Sequence, residues 1–140
     1  MIVWRDADPR DLEPTFAADV DTFLRDSRWT WYVVSGFRSL KEQAKLWLAY
    51  KAHLDGTGPP APRAAPPGKS AHNYGLAIDV VLDTDDGKPG LQPSWDRRLP
   101  AWVSLKTRSL PHPRLKHGWS FGDWPHIERF NWRRHVGWRP

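Results

Sequence analysis

The chain has 140 residues, enough for one domain with a closed core and too few for two. Its 39% apolar content places it among globular chains, and the lack of cysteine excludes disulfides and thiolate metal sites, so any metal must rest on nitrogen and oxygen ligands. The 21 lysines and arginines exceed the 16 aspartates and glutamates by a net +5, which favours anionic polymers as neighbours without naming a reaction. The amino terminus, Met1 to Asp6, has no basic region followed by an apolar run, so no signal peptide is expected, and no stretch approaches a membrane span. Residues 9–26 carry Leu12, Phe16, Val20 and Phe23/Leu24 at helical spacing and predict a helix. Trp29 to Ser35 is aromatic and β-branched and predicts a strand. Ser39 is a candidate N-cap for a helix over Leu40 to Leu54, with Glu42 at the third helical position and an apolar stripe of Leu40, Ala44, Trp47, Leu48 and Tyr50. Residues 55–69 are rich in proline and glycine and predict a surface loop or flap. Leu76 to Leu82 has strand length, Asp83 to Pro93 reads as turn, and Trp95 to Leu110 has a weak helical pattern interrupted by Pro100. Gly118 to Phe121 and Pro125 to Phe130 are expected to close the sheet. The sum is an α+β fold, a small antiparallel sheet flanked by helices in a single domain over 1–140.

Two short segments carry the chemistry. Ser70-Ala71-His72-Asn73-Tyr74-Gly75-Leu76-Ala77-Ile78-Asp79 presents a histidine and a carboxylate seven residues apart, across a glycine that lets the chain turn. Asp123-Trp124-Pro125-His126-Ile127-Glu128 presents a second histidine with a carboxylate three residues before it. A carboxylate inside an apolar strand, as Asp79 would be, is costly unless paired or bound to a metal. His72, Asp79 and His126 supply two imidazoles and one carboxylate, which leaves an open coordination position and a spare acid. That is the inventory of a hydrolytic site with one zinc ion. Asp123, in the turn entering its strand, is placed to reach a water there. His53, His112, His117 and His135 lie outside both segments and are expected at the surface, and Trp4, Trp29, Trp31, Trp47 and Trp102 fall at core positions.

In these motifs the sequence resembles the zinc peptidases of bacterial cell walls: D-alanyl-D-alanine carboxypeptidases and dipeptidases, and the L-alanyl-D-glutamate endopeptidases of phage endolysins, which share a fold with the signalling domain of hedgehog proteins. The resemblance spans about residues 29–130 and is strengthened by Val34-Ser35-Gly36-Phe37-Arg38-Ser39 with Gln43 one helical turn on, similar to the family's Ser-Gly-Tyr-Arg-Ser segment. It implies that His72, Asp79 and His126 are zinc ligands, Asp123 the catalytic base, and Arg38 a contact near the scissile peptide. It also implies substrate-binding roles for Ser70 and Gln43, and for Glu128 a hydrogen bond that fixes an imidazole tautomer.

The leading functional expectation is therefore a zinc peptidase cutting the stem peptide of peptidoglycan between L-alanine and D-glutamate. It would act as a monomeric endolysin, made in the cytoplasm and reaching the wall through a holin. The same ligands serve carboxypeptidases that remove terminal D-alanine. A third reading, of another class, is a non-catalytic module that binds cell-wall or other polyanions through its basic residues and tryptophans. No specific nucleic-acid partner is expected.

Overall fold

The computed structural model describes residues 1–84 and 89–137. A six-stranded sheet organises them: β1 (Ile2–Trp4), β2 (Thr30–Ser35), β3 (Ala77–Asp83), β4 (Pro93–Ser94), β5 (Leu115–His117) and β6 (His126–Arg129). The order is β1-β2-β3-β6-β5, with β4 pairing the far end of β3. Every pairing is antiparallel except β1 on β2, so the sheet is mixed where the sequence predicts an antiparallel one. The fold is α+β, as expected. The predicted turn over Asp83 to Pro93 falls partly outside the described residues.

Three helices complete the fold. α1 (Pro14–Arg25) opens with proline at its first position, and the Glu13 carboxylate accepts from the Thr15 and Phe16 amides at 3.0 and 2.7 Å. Its Phe16, Val20, Phe23 and Leu24 are buried, as their spacing requires. α3 (Pro100–Ser109) begins at Pro100. The proline opens this helix and does not interrupt it, because an N1 residue needs no amide hydrogen and a fixed φ suits the first turn. Trp102 from α3 meets Trp31 from β2 edge-on at 4.9 Å, and both are buried. Truncating a core aromatic of this kind costs about 3–5 kcal/mol.

α2 (Leu40–Leu54) has the predicted bounds and the predicted cap, Ser39 Oγ accepting from the Glu42 amide at 3.1 Å. Its apolar stripe does not enter the core. Leu40 and Leu48 are 58% and 63% exposed, Trp47 lies beside Tyr50 and Lys51, and Gln43 is the helix's buried residue. Helical spacing establishes which residues share a face; whether another element covers that face depends on the rest of the fold. The expected closing strand at Gly118 to Phe121 is instead a 3-10 turn, and the strand lies just before it, at β5.

His112 is half-buried against Phe23, not at the surface. Its Nδ1 accepts from the amides of Arg114 and Leu115, both at 3.0 Å, and so fixes the turn into β5. Burial, partly offset by Asp19, holds its pKa below the usual 6.5. The unfolded chain therefore takes up the proton first, and stability is lost as pH falls from above 6.5 through the lowered folded value. His112→Ala is expected to lower stability by about 1–3 kcal/mol near pH 7.5 and to flatten the pH dependence between 7.5 and 5.5, as read by urea titration.

Candidate active site

The pairing of β3 with β6 sets Asp79 directly opposite His126. The β2–β3 register shifts between Val33 and Ser35, just where Ser35 comes to face Asp79. His72 arrives from another direction, on a 3-10 turn (Ala71–Tyr74) that Ser70 caps, its Oγ accepting from the His72 amide at 3.3 Å. Gly75 ends that turn with φ 66°, a left-handed geometry that glycine adopts without strain. The turn is stitched to the preceding segment: the Arg38 amide donates to the His72 carbonyl, and Asn73 Nδ2 to the Arg38 carbonyl, both at 3.0 Å.

These three side chains converge. His72 Nε2 lies 3.3 Å from Asp79 Oδ2, His126 Nδ1 lies 3.5 Å from Asp79 Oδ1, and the candidate ligand atoms all fall within 4.8 Å of one another. Each imidazole is turned by a partner on its other nitrogen. His72 Nδ1 donates to the Gly36 carbonyl at 2.8 Å, and His126 Nε2 donates to Glu128 at 2.8 Å. Both remaining ring nitrogens are thereby aimed at Asp79. Two imidazole lone pairs facing a carboxylate repel unless positive charge sits between them. Burial lowers the pKa of His126, yet hydrogen bonds to Asp79 and Glu128 outweigh it and carry the ring to about 9. Burial likewise opposes the Asp79 charge, but His72 and His126 hold its carboxyl well below the usual range. The cluster could hold a metal ion in place of that proton, and its nitrogen, nitrogen and oxygen donors fit zinc.

Asp123 lies 4.0 Å from His126 Nδ1, in the turn before β6, and its side chain is 53% exposed. Partial desolvation raises its pKa, His126 opposes, and the Asp79 and Glu128 charges add to the rise. Its backbone is fixed by Gly118. The Asp123 amide donates to the Gly118 carbonyl at 2.9 Å, and a Cβ on Gly118 would lie 2.2 Å from the Asp123 carbonyl oxygen. Arg38 points into the same cleft, 3.9 Å from Asp79 Oδ2, held by Gln43 Oε1 at 3.0 Å and Ser35 Oγ at 3.3 Å. Gln43 is 1% exposed and its amide nitrogen donates to the Ala65 carbonyl at 2.7 Å. Gln43 thus ties the proline-rich loop to Arg38 and also lines the cleft. Ser70 lines the cleft, whose volume is about 940 Å³.

One buried residue escaped the sequence reading. His117, expected at the surface, is 2% exposed, and burial lowers its pKa. Its Nε2 donates to the Trp124 carbonyl, beside Asp123, and its Nδ1 has no partner among the described residues. The in-out alternation Leu115-Lys116-His117 was the available signal, too short to stand out.

The family of D-alanyl-D-alanine carboxypeptidases known as VanY matches residues 12–107. The chain belongs to that family. It is accordingly a peptidoglycan peptidase. The match takes in Arg38, Ser70, His72 and Asp79 and stops before Asp123 and His126, which the fold brings to the same place. The crystal structure of the Serratia marcescens L-Ala D-Glu endopeptidase ChiX has the same fold, with a TM-score of 0.62 at 19% identity over 96% of this chain and 95% of that one.

Proposed function

We propose that the chain is a zinc-dependent endopeptidase that cuts peptidoglycan stem peptides between L-alanine and D-glutamate and serves as an endolysin. The observation that carries the hydrolytic reading is the convergence of His72, Asp79 and His126 beside an exposed Asp123 in an open cleft. The bond is suggested by the similar fold of the endopeptidase ChiX. Family membership favours a second reading, removal of terminal D-alanine.

A zinc ion bound there supplies Lewis-acid polarisation of the scissile carbonyl and brings the pKa of a water from about 16 to about 7. The chain's own residues do the rest. Asp123, its carboxyl raised toward the working range, takes the proton of the attacking water and returns it to the departing amine. Arg38, oriented by Gln43 and Ser35, donates to the carbonyl oxygen as it gains negative charge. Glu128 and the Gly36 carbonyl hold the two imidazoles in place. Ser70 binds the peptide along the cleft wall.

Incubating purified walls with the protein and identifying the products by mass spectrometry separates the two bonds. New amino-terminal D-glutamate supports the endopeptidase, and free D-alanine supports the carboxypeptidase instead. Expression inside bacteria tests the endolysin role, which requires lysis with a co-expressed holin and none without it. Gly118→Ala is expected to lower kcat about 10²-fold with the circular dichroism spectrum retained, because the added Cβ displaces the backbone that positions Asp123.

A further inference from the structure

The cleft is rimmed by four cationic side chains that the reaction does not use. Arg63 and Lys69 come from the proline-rich loop, Lys116 from the edge strand β5, and Arg133 from the 3-10 turn after β6. All four are exposed and line the same cavity. Among the described residues none of them makes an ion pair, whereas the exposed arginines Arg10, Arg98 and Arg114 elsewhere sit within 3 Å of aspartates. Lys116 and Arg133 instead rest against the rings of Phe121 and Trp132, at 5.6 and 4.6 Å. Such contacts steady a cation without neutralising it.

The acids in the cleft do not cancel this charge. Asp79 is engaged by both imidazoles and lies close to Arg38, and Glu128 is engaged by His126. Asp123 alone remains. Three segments that are distant in sequence therefore hold uncompensated positive charge around the hydrolytic floor, an arrangement that draws an anionic ligand.

We propose that Arg63, Lys69, Lys116 and Arg133 form a specificity rim that selects stem peptides whose D-glutamate keeps a free α-carboxylate over those amidated to D-isoglutamine. The inference rests on the endopeptidase reading above. In that reading D-glutamate supplies the amine of the scissile bond, so its α-carboxylate is the substrate anion nearest the reacting centre. Amidation removes that charge while leaving shape and size almost unchanged, so discrimination must be electrostatic.

The test uses the zinc-loaded protein and two synthetic peptides, L-Ala-γ-D-Glu-L-Lys-D-Ala amide and its D-isoglutamine counterpart, in which the α-carboxylate is the only variable anion. The free acid is expected to be cut with kcat/KM about tenfold higher, and the ratio shrinks as salt is raised. Arg63→Gln and Lys116→Gln are each expected to narrow the ratio through KM with kcat on the free acid little altered. Equal kcat/KM for the two peptides, or a ratio indifferent to both substitutions, overturns the rim while leaving the endopeptidase intact. No cleavage of either peptide overturns the endopeptidase reading and the rim with it.

Discussion

Asp123→Asn lowers kcat on the stem peptide by about 10²- to 10⁴-fold while the protein still takes up one zinc ion. The expectation follows from where the side chain sits. Among the described residues it is the one cleft carboxylate that no side chain engages closely, lying 4.0 Å from His126 Nδ1 and more than half exposed. Amidation there removes a proton acceptor and leaves the three convergent ligand atoms untouched. The backbone of its turn is held by Gly118 and by the His126 amide, which donates to the Asp123 carbonyl at 3.1 Å, so the geometry survives the substitution. Turnover by chromatography and zinc by elemental analysis give the two readings. A variant that retains wild-type turnover removes Asp123 from the mechanism, and one that loses zinc makes it a ligand.

Asp79→Asn has the opposite signature, loss of both zinc and turnover. Asp79 is the only carboxylate of the triad, and the two imidazoles reach it from either side at 3.3 and 3.5 Å. Without its charge an ion there keeps two neutral nitrogens and no anion. Thermal unfolding adds an independent reading. A ligand that binds only the folded state stabilises by about 2.7 kcal/mol at a hundred times its Kd, so a chelator should lower the Tm of the wild type by several degrees. The variant's Tm should not respond to chelator. A chelator-sensitive Tm in Asp79→Asn, with zinc at one per chain, contradicts its place among the ligands.

The parts of the fold that sequence made legible are those governed by local rules. Ser39 caps α2 because a hydroxyl at that position satisfies the Glu42 amide, and β3 was visible because its apolar run is uninterrupted but for Asp79. The convergence of His72, Asp79 and His126 was legible for a related reason: a glycine between His72 and Asp79, and a two-residue strand period between His126 and Glu128, constrain direction without knowledge of the rest of the chain. What stayed hidden depends on contacts between distant segments. The exposure of Leu40 and Leu48 follows from which elements fail to cover α2. That Gln43 ties the proline-rich loop to Arg38 shows only once the Ala65 carbonyl is in place. Position 118 needs glycine because the Asp123 carbonyl passes too close for any side chain, a crowding no local pattern announces. His117 was missed because burial beneath Trp124 is a property of the pairing of β5 with β6.

In the proposed reaction His72, Asp79 and His126 hold a zinc ion that the cleavage of stem peptide requires. The most direct measurement is hydrolysis of purified peptidoglycan by metal-stripped protein, followed by addition of one equivalent of zinc. Stripped protein is expected to release no stem-peptide fragments, cleavage to recover with zinc at one ion per chain, and Asp79→Asn not to recover. Undiminished cleavage by the stripped wild type, at a zinc content near zero, would contradict the zinc requirement.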